Sequence, residues 1–307
     1  MRRLSYEKRD IGYSFALVTF IMVAAALLLD LIFSSPSSGW QFWLMQGLYT
    51  LLIGSSAFLY AVLSKTKVFV ATKLNKVPNP WHTLWGCGAV AFLILCMSQV
   101  NTLFLDLIEA MNLPRPAVQL DTSVVGLIIC ACILPAFTEE IVFRGTVAQS
   151  LYGNKNKLAA LAISGALFAI FHANPAQTLH QFVLGAFLTL LVFRSGSLWT
   201  GIIVHLFNNA LVVGLSYTPM GSDEFWNLTI NTTWALTLTL VGIVGFALCV
   251  FGYVKITKSG WHTAEPDSTQ ADESAQIVAK NQIKKSYATL LVAVAVCVVL
   301  WIAQLLV

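Results

Sequence analysis

The chain has 307 residues, of which 57% are hydrophobic and 10% charged, and its mean hydropathy is +0.76. Soluble domains carry about 25% charged residues, so this composition excludes a soluble fold and specifies an all-α, polytopic transmembrane helix bundle. The net charge of +4 sits in short loops without a basic face interleaved with aromatics, which argues against a nucleic-acid partner.

A spanning helix needs about 20 apolar residues, and nine segments are candidates. Met1-Arg2-Arg3-Leu4 leads into the first, Ile11 to Phe33; no small-residue cleavage site follows it, so a retained span is expected rather than a signal peptide. The second runs from Trp40 to Leu63, and a basic loop with Lys65, Lys67, Lys73 and Lys76 ends in Pro78-Asn79-Pro80. Thr83 to Leu107 is the third, and the two prolines between Asn112 and Gln119 break the chain before the fourth, Ser123 to Leu151. Leu158 to His172, Gln177 to Phe193 and Leu198 to Tyr217 are the fifth to seventh. Trp234 to Val254 and Tyr287 to Val307 complete the set, and the polar stretch between them, Lys255 to Ser286, reads as a mobile cytoplasmic loop.

With the N-terminus inside, nine alternating spans put every basic loop residue except Arg115 on the cytoplasmic side, while the outer loop from Thr218 to Thr233 carries Asp223 and Glu224 and no basic residue. Asn227-Leu228-Thr229 and Asn231-Thr232-Thr233 in that loop fit the glycosylation tripeptide, which carries no information if the source is bacterial. The six cysteines lie inside apolar segments with no CxxC pair, so they read as small buried hydrophobes.

Chemistry-bearing residues concentrate in the fourth, fifth and seventh segments. In Thr138-Glu139-Glu140-Ile141-Val142-Phe143-Arg144, Glu140 and Arg144 are i,i+4 and able to pair. Glu139 lies about 100° round the helix and is the carboxylate left free. Phe168-x-x-x-His172 and His205-x-x-x-Asn209 each place two groups on one face of an otherwise apolar helix. Taken singly, the charges fit a membrane surface and each histidine fits a helix–helix hydrogen bond; together they mark a site at membrane depth. His180, with Gln177 and Gln181 nearby, reads as packing or as cavity lining, and His82 and His262 as solvated loop residues.

Glu139-Glu140-x-x-x-Arg144, Phe168-x-x-x-His172 and His205-x-x-x-Asn209, with the lead-in Ser197-Leu198-Trp199-Thr200-Gly201, resemble the three motifs of the CPBP family of intramembrane proteases. That family includes the type II CAAX prenyl endopeptidases and bacteriocin-processing and immunity proteins. The resemblance implies three parts: residues 1–120 with spans one to three, a catalytic core at 121–217, and residues 218–307 with the last two spans and the polar loop 255–286. It implies an endopeptidase acting at the membrane on a peptide or membrane-associated protein, either a CAAX tail or a leader peptide. Within it, Glu139 and His172 fit a water-activating pair, His205 and Asn209 fit donors to an oxyanion, and Glu140 with Arg144 a structural pair. The rival is zinc on Glu139, His172 and His205, with water as fourth ligand; no HExxH stands in the chain, and an asparagine beside the site suits metal-independent hydrolysis. Two further classes are a non-catalytic scaffold or immunity protein and a proton-coupled transporter, the latter unsupported by any internal repeat. The expected location is the bacterial inner membrane, with the N-terminus cytoplasmic.

Overall fold

A computed structural model describes residues 2–34, 39–113, 123–154, 156–218, 232–257, 261 and 273–306. Arg115, Lys155, Asp223, Glu224, Asn227, Asn231 and His262 lie outside the described residues. Those that are described form helices, with no strand beyond one bridge between Arg3 and Thr66. In chain order the helices are α1 Asp10–Phe33, α2 Gly39–Leu63, the short α3 Val68–Ala71, α4 Pro80–Ala110 and α5 Val124–Leu151. There follow α6 Lys157–Phe171, α7 Thr178–Ser195, α8 Leu198–Ser216, α9 Thr232–Ile256 and α10 Glu273–Leu305.

Eight of these are long and apolar enough to cross a bilayer. The fifth segment expected to span, 158–172, is instead the 15-residue helix α6. Leucines and valines on the outer faces of the long helices stay exposed, among them Leu27, Leu31, Leu240, Leu248, Leu291 and Val299. Lipid is the solvent for such a surface. The molecule is an integral membrane protein.

Local chemistry sets the helix ends. Asn79 caps α4 by accepting from the Trp81 N–H at 2.9 Å, with Pro80 at the first helical position, and Asn156 caps α6 by accepting from the Ala159 N–H at 3.0 Å. α1 starts at Asp10, a buried carboxylate that pairs with Arg3 and accepts from the Tyr60 hydroxyl at 2.7 Å. The N-terminal segment is thereby fastened to the end of α2, where the Arg3 N–H also donates to the Lys65 carbonyl.

Contacts at one end of the bundle fix the direction of every helix. Arg9, just before α1, donates to Gln282 near the start of α10 at 2.7 Å. Ser197, before α8, donates to the Lys76 carbonyl at 2.6 Å, ahead of α4. Lys157 at the start of α6 donates to the Trp261 carbonyl, and Trp261 donates to the Tyr152 carbonyl after α5. Arg194 near the end of α7 donates to the Val254 and Thr257 carbonyls at the end of α9. At the opposite end Trp301 of α10 donates to Thr178 of α7. The helices therefore alternate, the short α6 included, and the two chain ends of the bundle face opposite ways.

The polar stretch expected as a loop is helical from Glu273 onward, because α10 extends to meet α1: the Gly12 N–H donates to Ser286 Oγ at 2.9 Å. Apolar packing falls into two large clusters. One gathers α1, α2, α5, α6, α7, α8 and α10 around Phe15, Phe143, Phe168 and Ile202; the other joins α4, α7, α8 and α9 around Leu93, Leu188, Val204 and Tyr253. α7 and α8 contribute to both.

Candidate active site

α5 carries the acidic motif and is not a uniform α-helix. Leu127–Ile133 is π-wound, Leu134–Glu139 is α-wound, Glu140–Val147 is π-wound again, and Ala148–Leu151 ends as a 3-10 turn. Pro135 accounts for the first widening, since a proline inside a helix has no N–H and clashes with the carbonyl four residues back. In the second, the side chains of Thr146 and Gln149 reach back five residues to the carbonyls of Ile141 and Arg144, both at 3.0 Å. Glu139 is the last residue before the winding changes, which is where π-turns tend to mark working sites.

The two glutamates part as the helical reading expects. Glu140 is fully buried and Arg144 Nη1 donates to its Oε1 at 2.6 Å. Glu139 keeps 18% of its side chain exposed and has no arginine partner among the described residues. The same Glu140 oxygen also accepts from His205 Nδ1 at 2.9 Å, a link between the first and third motifs that spacing alone does not reveal. Gly201, one turn before His205, makes room for it: a Cβ there would lie 2.7 Å from Glu140 Oε2 and 2.8 Å from Val192 Cγ2. The glycine was legible in the lead-in to the third motif, but its reason was not.

His172 is the C-cap of α6, and its Nδ1 is 2.7 Å from the Phe168 carbonyl. A carbonyl only accepts, so Nδ1 carries the proton and Nε2 is left facing the site. That Nε2 lies 3.7 Å from Glu139 Oε2, and the Nε2 of His205 lies 4.0 Å from the same oxygen. Phe168 stands behind all of them. The Arg144 guanidinium sits 3.9 Å over its ring, whose centroid is 4.6 Å from the His172 ring and 6.0 Å from that of His205. This aromatic floor takes the place of hydrogen-bond partners for Arg144 Nε and Nη2, which have none. Asn209 is half-buried on α8, and its amide oxygen accepts from Asn208 at 3.1 Å, leaving its NH2 as a donor. His180 neighbours Asn208 rather than Glu139.

Donor accounting constrains the cluster. With each Nδ1–H committed, neutral His172 and His205 both turn lone pairs toward the Glu139 carboxylate, so three acceptors converge and need a proton or a cation between them. Glu139, Glu140 and Arg144 sum to one negative charge, which a single imidazolium neutralises. In donor type the trio would suit zinc. The spacings of 3.7 and 4.0 Å exceed the roughly 3.3 Å between ligands on a tetrahedral zinc. Among the described residues no group of three or more His, Cys, Asp or Glu closes to metal-holding distance. The same three side chains would also accommodate a shared water and a proton.

Residues 121–211, which hold all of these groups, match the family model described as Type II CAAX prenyl endopeptidase Rce1-like. The match is confined to the segment that carries the three motifs. Over 94 residues the chain is 32% identical to a Bacillus subtilis (strain 168) protein named "Putative membrane peptidase YdiL", a match spanning 31% of this chain and 38% of that relative. No solved structure matches the chain.

Proposed function

We propose that the protein is an intramembrane endopeptidase that hydrolyses a peptide bond with water activated by Glu139 and His172. The observation that carries this is the carboxylate of Glu139 facing two imidazole Nε2 atoms at 3.7 and 4.0 Å, on an Rce1-like segment. A water within hydrogen-bond reach of Glu139 and His172 loses a proton to the carboxylate as its oxygen attacks the substrate carbonyl. The negative charge moves to the carbonyl oxygen, where N–H groups of His205 and Asn209 receive it. When the tetrahedral intermediate collapses, the C–N bond breaks and the proton held by Glu139 passes to the leaving amine, restoring the carboxylate.

His205 can donate from Nε2 only when its ring carries both protons, because Nδ1–H is held by Glu140. Glu140 is therefore more than half of a structural pair: its carboxylate, balanced by Arg144, orients the imidazolium of His205 and supports its charge. The substrate class is a peptide or membrane-associated protein, with a CAAX-type tail or a leader peptide as the two chemistries the family suggests. Metal is not required in this reading. The setting is a bacterial inner membrane with the basic end of the bundle in the cytoplasm.

The test compares membrane-proteome N- and C-termini in cells with the native protein and with a Glu139→Gln variant, and then assays the purified protein on the peptide so found. New termini should appear only with the native protein, and chelation should leave hydrolysis largely intact. Loss on chelation with recovery on adding zinc would replace the water reading with a metal one. Identical termini in both cells would leave a non-catalytic scaffold.

A further inference from the structure

Away from the Glu139 cluster, the described residues line an open-sided cavity of about 590 Å³ at the basic end of the bundle, where α1 and α10 begin and α5 ends. Its polar wall is built by Glu7, Lys8, Arg9, Lys73 and Ser150, and its apolar wall by Leu4, Val70 and Ile283; the Glu7 carboxylate is paired with Arg3 at 3.6 Å as well as with Arg9. Arg9 is committed, to Glu7 at 3.0 Å and to Gln282. Lys8 and Lys73 have no carboxylate partner among the described residues. The Lys73 ammonium is held 4.8 Å over the Tyr152 ring, and burial, with Lys76 nearby, lowers its pKa. An ammonium so placed gains from any anion that enters. Ser150 is only 3% exposed, and its Oγ has no hydrogen-bond partner although it lines the same cavity. A buried hydroxyl without a partner costs stability, and a ligand oxygen would satisfy it.

The geometry points to a binding site for a phosphate-bearing anion, with the phosphate between Lys8, Lys73 and Ser150 and any acyl chain along Leu4, Val70 and Ile283. Two ammonium groups and a hydroxyl supply point-charge and hydrogen-bond recognition of phosphate. The cavity lies level with the helix ends, which is the height of lipid headgroups. Its wall includes Gln149, which donates to the Arg144 carbonyl at 3.0 Å. An occupant would brace the stretch of α5 that holds Glu140, so binding reads out as thermal stability.

The protein is placed in phosphatidylcholine nanodiscs and in nanodiscs containing phosphatidylglycerol, and bound lipid is measured by native mass spectrometry alongside the melting temperature. Native protein should retain phosphatidylglycerol over phosphatidylcholine by roughly tenfold or more, the scale for two interfacial lysines, and melt higher with it. K8Q/K73Q should lose both effects, and K73R should keep them. If the double variant is poorly folded, K8Q alone, at an exposed position, should still weaken retention. Millimolar inorganic phosphate added to phosphatidylcholine nanodiscs tests the soluble source, and a lysine-dependent rise in melting temperature would assign the site to free phosphate. Equal retention of the two lipids with no phosphate response would overturn the site, as would enrichment that survives K8Q/K73Q.

Discussion

Glu139 and Glu140 are neighbours in the chain with opposite surroundings, one partly exposed beside two imidazoles and the other sealed against Arg144. Glu139→Gln keeps the volume and removes the base, so turnover should fall by about 10²- to 10⁴-fold while the purified protein melts as before. Glu140→Gln strands the Arg144 guanidinium among apolar groups, and breaking a buried pair costs about 3–5 kcal/mol. Its abundance and melting temperature should drop, with partial repair when Arg144 is also changed to Met. The repair should restore stability but not turnover, because His205 would still lack its carboxylate. A stable, inactive Glu140→Gln beside an active Glu139→Gln would reverse the two roles.

At the scale of the element, α6 explains how His172 reaches the site. Fifteen residues span about 22 Å, short of the roughly 30 Å hydrocarbon core, and the helix ends with His172 at its cap. The stop is made by Ala173, whose φ of 47° is left-handed, followed by Asn174-Pro175. α6 lies close on α7 because a Cβ at Gly165 would meet the Phe182 carbonyl at 2.5 Å. An alanine in the left-handed region is disfavoured by about 1–2 kcal/mol, and glycine is free there apart from its greater entropy when unfolded. Ala173→Gly should therefore raise stability by up to about 1 kcal/mol, read as a higher melting temperature in detergent. A lower melting temperature would show that the turn is not strained as its φ indicates.

For the whole molecule, the ring of contacts at the basic end places the loops bearing Lys65, Lys67, Lys73, Lys76 and Lys157 together on one side. Positive loops face the cytoplasm. Ser34 and Lys76 are exposed at opposite ends, so a membrane-impermeant maleimide should label Ser34→Cys in intact cells and Lys76→Cys only after permeabilisation. The reverse pattern would turn the bundle over and put the Lys73 cavity in the other leaflet.

By itself the sequence determined the membrane class, the all-α bundle, the order of the segments and the three motifs. Apolar runs near 20 residues have no other stable use, and i,i+4 spacing makes partners of Glu140 and Arg144 whatever surrounds them. Only the tertiary structure decided that Glu140 also holds His205, that Phe168 floors both imidazoles beneath Arg144, and that Gly201 clears space for the carboxylate. These contacts join residues on different helices, and spacing along one helix carries no information about rotation or depth in another. The length of α6 belongs to the same class. Its apolar run looks like a span until Ala173 and Pro175 end it at His172, beside Glu139.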